Sequence, residues 1–372
     1  MKALGIIFSD IQDWSMTELA THRSVAAIPF GGRYRLIDFP LSNMVNSGIN
    51  KICIITKSNY RSLMEHVGSG KDWDLSRKKG GILVFPPYAV GENHGLYQGR
   101  LDALKRVLDY ISSSKEKYVI LSDSDMIYDI NYQEIIKYHE EKNSDITAVY
   151  TKTSIDKCNS IHKILYEFDE EGRADDILVY PITTGYYNVG LNAFVMNKDF
   201  LEALIYDAIA RNHKDFSYDV LAARVHSFRI YGYEYNGFFA HIDSLQSYYE
   251  NSMKLLNIDT LQNIFYSKTG PIYTKTKDSA PTKYCCDAVV KNSLIASGCL
   301  IEGTVENSII FRGVKIGKNA VVKNSIIMQH GIIGDNAQLN SIITDTYAYV
   351  NKDRVLLGYS NCPFFIKKNS VV

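Results

Sequence analysis

The sequence has no run of the roughly 18 apolar residues that a membrane-spanning helix needs, and its opening, MKALGIIFSD, holds only a brief apolar stretch before Asp10. A cytoplasmic location is expected. There is no excess of either charge: 41 lysines and arginines meet 41 aspartates and glutamates, so the electrostatic footprint of a nucleic-acid or anionic-membrane binder is missing. Cysteine is present but without metal-ligand spacing. Cys53, Cys158, Cys285, Cys286, Cys299 and Cys362 are scattered, and the adjacent Cys285 and Cys286 are badly placed to chelate one ion. Free thiols are expected. The loop after the first apolar run, SDIQDWSM (residues 9–16), contains no glycine, arginine or lysine.

That last absence excludes an ordinary phosphate loop. Such a loop turns unhindered backbone N–H groups and a cation toward the anion. Side chains at Asp10, Ile11, Asp13, Ser15 and Met16 obstruct the turn, and the two aspartates bring like charge. At about 4 Å each repulsion costs ~1 kcal/mol in water and ~4 at a surface-like dielectric. A lost transition-state charge contact costs about 100- to 1,000-fold in rate, so a phosphate loop that had lost two cations would keep little activity.

What is present is ordinary globular composition, 46% hydrophobic over 372 residues, enough for two domains. Short apolar runs at 2–8, 51–56, 81–85 and 117–121 read as buried parallel strands. Between them lie helical patterns. In residues 96–111, Leu101, Leu104, Val107, Leu108 and Ile111 share one face, which places Arg100, Asp102, Lys105 and Arg106 outward. Near residue 38, Asp38 is expected to cap a helix with Pro40 in its first turn and Gly48 past its end. Further strands at 145–151 and 187–196, with helices near 199–211 and 244–257, extend a doubly wound, mainly parallel α/β domain over residues 1–258.

From residue 289 the texture changes. NSLI at 292 and NSII at 307, 324 and 340 recur at spacings of 15, 17 and 16 residues. Together with VKIGKNAV from Val314 and IIGDNAQL from Ile332, they read as hexapeptide repeats of a left-handed parallel β-helix over 289–372. Residues 259–288, rich in lysine and threonine and containing Gly270-Pro271 and Pro281, are expected to link the domains.

The segment PFGGRYRLIDFPLSNMVNSGI (residues 29–49) closely resembles the signature of bacterial glucose-1-phosphate adenylyltransferases, whose architecture is also a Rossmann-like nucleotidyltransferase domain followed by a short β-helix. The resemblance covers nearly the whole chain. That family joins ATP and glucose 1-phosphate to give ADP-glucose and pyrophosphate, with magnesium. Its loop GG-x-G-x-R-L falls on the altered residues 10–16, and its lysine ahead of PFGG falls on Val25. Its G-T-A-D-A-V-x-Q falls on Gly91–Gln98, with His94 for aspartate. Its first metal aspartate falls on Asp125 or, in the other register, Asp123. Its sugar-phosphate lysine falls on Tyr180 and its second metal aspartate on His241. By this resemblance Gly91, Gln98, Tyr180, Asn188 and Gly190 line a vestigial substrate pocket. Arg23 of Thr21-His22-Arg23 is an effector contact.

The resemblance therefore implies a non-catalytic GlgD-type regulatory subunit that binds no metal itself. Its partner would be a catalytic, magnesium-using GlgC-type subunit in a heterotetramer, with a sugar phosphate or nucleotide as effector. One alternative is an active nucleotidyltransferase using Asp125, Lys2 or Arg33 in new roles. Another is a hexapeptide-repeat acyltransferase with His330 as base.

Overall fold

The computed structural model describes residues 2–9, 17–87, 97–155, 163–266 and 269–372. Asp10, Ile11, Asp13, Ser15, Met16, Gly91 and His94 lie outside the described residues.

The first domain is built on a mixed nine-stranded sheet. Ala3–Phe8 runs parallel between Lys51–Ile55 and Tyr118–Asp123, and Gly81–Phe85 extends it parallel to Lys51–Ile55. These central strands are continuous apolar runs because both faces are covered. Leu101, Leu104, Ile111, Leu201 and Ile205 pack against one face. Leu41, Met44, Leu63, Ile135 and Ile136 pack against the other. The far half turns antiparallel around the long strand Gly185–Asn197, which pairs with Tyr118–Asp123, Ile146–Ile155 and Ile164–Phe168.

Three local readings are corrected. The pattern over 96–111 forms two helices, Arg100–Arg106 and Leu108–Ser112, broken at Val107. Arg100 is buried rather than outward. Asp38 is the first residue of its helix and does not cap it. Its carboxylate accepts instead from the Arg35 N–H at 2.9 Å and lies 2.6 Å from His66 Nε2.

The second domain is the expected left-handed β-helix, three five-stranded parallel sheets in which each coil adds one strand to each sheet. The NS motif has a physical reason. Each coil turns a corner in the left-handed backbone region, where asparagine is tolerated best among residues with a side chain. Asn292, Asn307 and Asn324 occupy that corner with φ of 41°, 46° and 47°. The fourth motif sits one residue out of register: Lys323 pairs with Asn340 and Ile326 with Ile343, so Ser341, with φ 55°, takes the corner. The structural period there is 17 residues although the letters repeat after 16. Where the asparagines align, Asn292 donates to Asn307 at 2.8 Å, and across the register shift Asn324 still reaches Asn340 at 2.9 Å.

Between the domains, residues 258–265 form a helix and the first β-helix strand begins at Lys283. One sheet of the β-helix, through Ile309, Ile326 and Ile343, shares a core with Phe30, Phe39 and Tyr248. Tyr248 Oη donates to the Pro29 carbonyl at 2.8 Å and Tyr249 Oη to that of Asn324 at 2.6 Å. No described helix is long and apolar enough to cross a membrane.

Candidate functional site

The strands Ala3–Phe8 and Tyr118–Asp123 end together, Phe8 opposite Asp123. At this carboxyl edge, where open α/β sheets bind ligands, stand Asp123, Ser124 and Asp125. A short antiparallel pair, Met126–Tyr128 with Phe239–His241, then returns His241 beside Asp125.

The positions that the family resemblance assigns to metal aspartates, Asp125 in one of its two registers and His241, thus come together as a carboxylate facing a histidine. His241 Nε2 lies 3.5 Å from Asp125 Oδ2 and Nδ1 lies 3.4 Å from Asp243 Oδ2. Burial opposes a charge on this imidazole, yet Asp125 and Asp243 outweigh it and hold its pKa above the usual value. Burial likewise raises Asp243, but the His241 charge and the Ser247 hydroxyl leave its carboxyl below the usual range. A histidine whose charged form the two carboxylates favour therefore sits where a metal cation would be wanted. Magnesium takes hard oxygen ligands, and this donor set does not fit it. Among the described residues no cluster of three or more His, Cys, Asp or Glu is placed to hold a metal ion.

Asp123 has a different partner. Arg100, at the start of its helix, pairs with it through Nε to Oδ1 at 3.2 Å and through Nη2 to Oδ2, while Nη1 reaches Ser217 Oγ at 3.4 Å. Burial lifts the Asp123 carboxyl to about 6, with Arg100 pulling the other way. Burial also disfavours charge on Arg100, but Asp123 more than offsets it and the guanidinium stays charged. This pair lies beside Tyr166 and Tyr180, whose hydroxyls burial raises.

The remaining expected pocket residues are placed as follows. Tyr180, in the left-handed region at φ 53°, sets its ring edge-on to Tyr218 at 5.6 Å. Gly190 lies under Tyr166, where a Cβ would come within 2.8 Å of the ring. Asn188 Nδ2 donates to the Tyr166 carbonyl at 2.9 Å. Gln98 Oε1 accepts from Lys214 Nζ at 2.5 Å. Tyr180 and Gly190 gather around Arg100 and Tyr166, whereas Asn188 is spent on the sheet and Gln98 on a surface contact. Lys2 is at the opposite end of its strand from Asp123, so it cannot serve this site. Val25 begins a short 3₁₀ turn.

A second site lies between the domains. A cavity of about 250 Å³ is lined by Arg23, Arg33, Arg35, Lys275, Lys277, Arg312 and Lys368, with His22, His66 and His330, against one acid, Glu65. Arg23 is buried, not solvated, and meets Asp345 of the β-helix at 2.7 Å. The other cations are crowded. Burial, with Arg23 adding to it, pushes Arg35 down to about 10. Burial and neighbouring cations also lower Lys277 and Arg312, and burial with Lys277 lowers His330. Arg23 Nη1 and Arg312 Nε are buried without hydrogen-bond partners. Such a cavity attracts an anion of several charges. His330 stacks on Tyr347 at 5.0 Å among the cationic lining residues, and the lowering of its pKa by burial and Lys277 keeps its ring from adding to their charge.

The sequence did not disclose Arg100 or most of this cavity. Arg33 and Arg35 alternate within the signature segment, a usable hint of a shared face, but Lys277 and Arg312 come from distant segments.

Known proteins share this architecture. Residues 16–257 match the model of the nucleotidyl transferase family and residues 280–361 that of the GlmU-like C-terminal hexapeptide. The chain is 36% identical over 370 residues to the glycogen biosynthesis protein GlgD of Bacillus subtilis, covering 100% of this chain and 97% of that one. It is 39% identical over 322 residues to GlgD of Geobacillus stearothermophilus, covering 86% and 83%. It is 34% identical over 324 residues to the glucose-1-phosphate adenylyltransferase of Thermosipho africanus, covering 87% and 78%.

Proposed function

We propose a function from one premise: the chain belongs to the nucleotidyl transferase family that includes the GlgD proteins and the glucose-1-phosphate adenylyltransferases. It is a regulatory, non-catalytic subunit of a glucose-1-phosphate adenylyltransferase serving glycogen biosynthesis. The catalytic partner is a GlgC-type subunit that carries magnesium and makes ADP-glucose, and the two kinds of chain form a heterotetramer. The observation that carries this reading is the charge of the degenerate site. The two metal positions hold Asp125 and His241 as an ion pair, and Arg100 occupies Asp123, so the anionic groups that would bind metal already have internal cations.

The cationic cavity supports the regulatory half of the proposal. A sugar phosphate or nucleotide bound there would touch both domains at once, Arg33 and Arg35 from one and Arg312 and Lys368 from the other. Ligand binding can shift a coupled subunit only through different affinities for its two states, usually ~1–3 kcal/mol of coupling. Co-expression with a catalytic relative tests the reading: ADP-glucose formation, its response to effector and the size of the complex are compared with and without this chain. No change in any of the three would refute regulation.

A further inference from the structure

The turn Gly31-Gly32-Arg33 joins two short antiparallel strands, Pro29–Phe30 and Tyr34–Arg35. Both glycines lie at positive φ, 58° and 83°, which a side chain would resist. The tight turn leaves Arg33 exposed at its tip while Tyr34, the next residue, is buried. Arg33 lines the cationic cavity. Its guanidinium nevertheless lies over the Tyr34 ring, 4.8 Å from the centroid, and Nη2 donates to Tyr34 Oη at 2.7 Å.

The Tyr34 ring also stacks on Phe265, with centroids 4.7 Å apart and planes 19° from parallel. Phe265 ends the helix Ile258–Phe265 that lies between the domains, and this helix is lightly held. Of its eight residues only Ile264 is buried. Ile258 and Leu261 border an apolar groove of about 340 Å³ shared with Val290 and Leu294 of the first coil. An element with few buried contacts and open space beside it belongs to the part of a structure that opens most readily. The turn touches it directly: a Cβ on Gly31 would come within 3.3 Å of Phe265 Cζ and of Leu255 Cδ1.

We propose that Arg33, Tyr34 and Phe265 form a relay through which an anion bound in the cavity loosens the helix 258–265. The proposal rests on the reading of that cavity as an anion site and adds the element that responds to it. Its basis is competition for one guanidinium. A phosphate group binds arginine through charge-assisted hydrogen bonds, which are stronger than a bond to a neutral phenol. Once Arg33 turns onto the anion, Tyr34 loses its cation–π contact and its donor and keeps only the stack on Phe265. The two arrangements of Arg33 exclude one another, so the anion has the different affinities for two states that coupling requires.

Hydrogen–deuterium exchange at residues 258–266 of the full chain tests the relay, with inorganic pyrophosphate as the probe and calorimetry reporting its binding. The expected result is exchange about 2- to 5-fold faster with pyrophosphate bound, the worth of one exposed cation–π contact. Arg33→Met should show the faster exchange without ligand and no further response, while the remaining cations still bind pyrophosphate, more weakly. Phe265→Leu should keep the affinity and abolish the response. Tyr34→Phe, which retains the ring and removes only the acceptor, should reduce the response should the larger changes disturb folding. Pyrophosphate binding with unchanged or slower exchange at 258–266 would overturn the relay and leave the anion site standing, as would a response that survives both Arg33→Met and Phe265→Leu. Absence of pyrophosphate binding would bring down both.

Discussion

Arg100 grips Asp123 through two nitrogens of one guanidinium, at the carboxyl end of a central strand and with both side chains buried. Neither partner is dispensable. Removing one charge strands the other in a low dielectric, which costs about 3–5 kcal/mol, whereas replacing both by apolar side chains costs far less. We expect Arg100→Leu and Asp123→Leu each to lower stability by that amount and the double variant to recover much of it. Urea denaturation of the four proteins measures the coupling directly.

His241, held between Asp125 and Asp243, makes a prediction about metal. The melting temperature of the natural chain should not respond to magnesium. His241→Asp places a third carboxylate there and removes the internal cation, so it should lower stability without metal and gain a magnesium-dependent rise in melting temperature. A magnesium response in the unaltered chain would show that the site is intact after all.

The cationic cavity should bind a multiply charged anion. With inorganic pyrophosphate as probe, calorimetry should detect binding that weakens with salt. Arg312→Ala or Lys277→Ala should each reduce affinity about 10-fold or more, the worth of one charge-assisted contact. Lys152 pairs with Glu234 on the sheet and does not line this cavity, so Lys152→Ala should leave pyrophosphate binding unchanged.

His139 supplies a pH dependence. Its Nδ1 lies 2.8 Å from Thr147 Oγ1, and burial pushes its pKa down to about 4. The unfolded chain binds a proton near pH 6.5, which the folded chain excludes. Stability from this residue is therefore complete above about pH 6.5 and is lost as pH falls toward about 4, by roughly 3 kcal/mol at most. His139→Gln should flatten that part of the stability curve in pH-dependent urea melts.

Much of the architecture was legible because its physical causes are local. Ala3–Phe8 and, beyond Lys51, Ile52–Ile55 are apolar throughout, as strands covered on both faces must be. The NS corners repeat because each coil needs a residue that tolerates positive φ. What escaped depends on contacts distant in sequence. Arg100 has the pattern of an outward helical residue, and only the position of Asp123, 23 residues on, draws it inward. Asp38 has the composition of a cap but is claimed by Arg35 and His66. Ser341 displaces Asn340 from its corner because the 17-residue coil outranks the 16-residue repeat of letters. Arg23 meets Asp345 across 322 positions, and no periodicity announces such a pairing. The altered residues of 10–16 and Gly91 lie outside the described residues, so what is known of them comes from the sequence.

The most direct test of the account is ADP-glucose formation by the purified chain alone, by a catalytic GlgC-type relative alone, and by the two co-expressed. The account predicts no product from this chain alone and a faster or differently regulated reaction from the pair. Sustained turnover by this chain alone, lost on His241→Ala or Arg100→Leu, would contradict it.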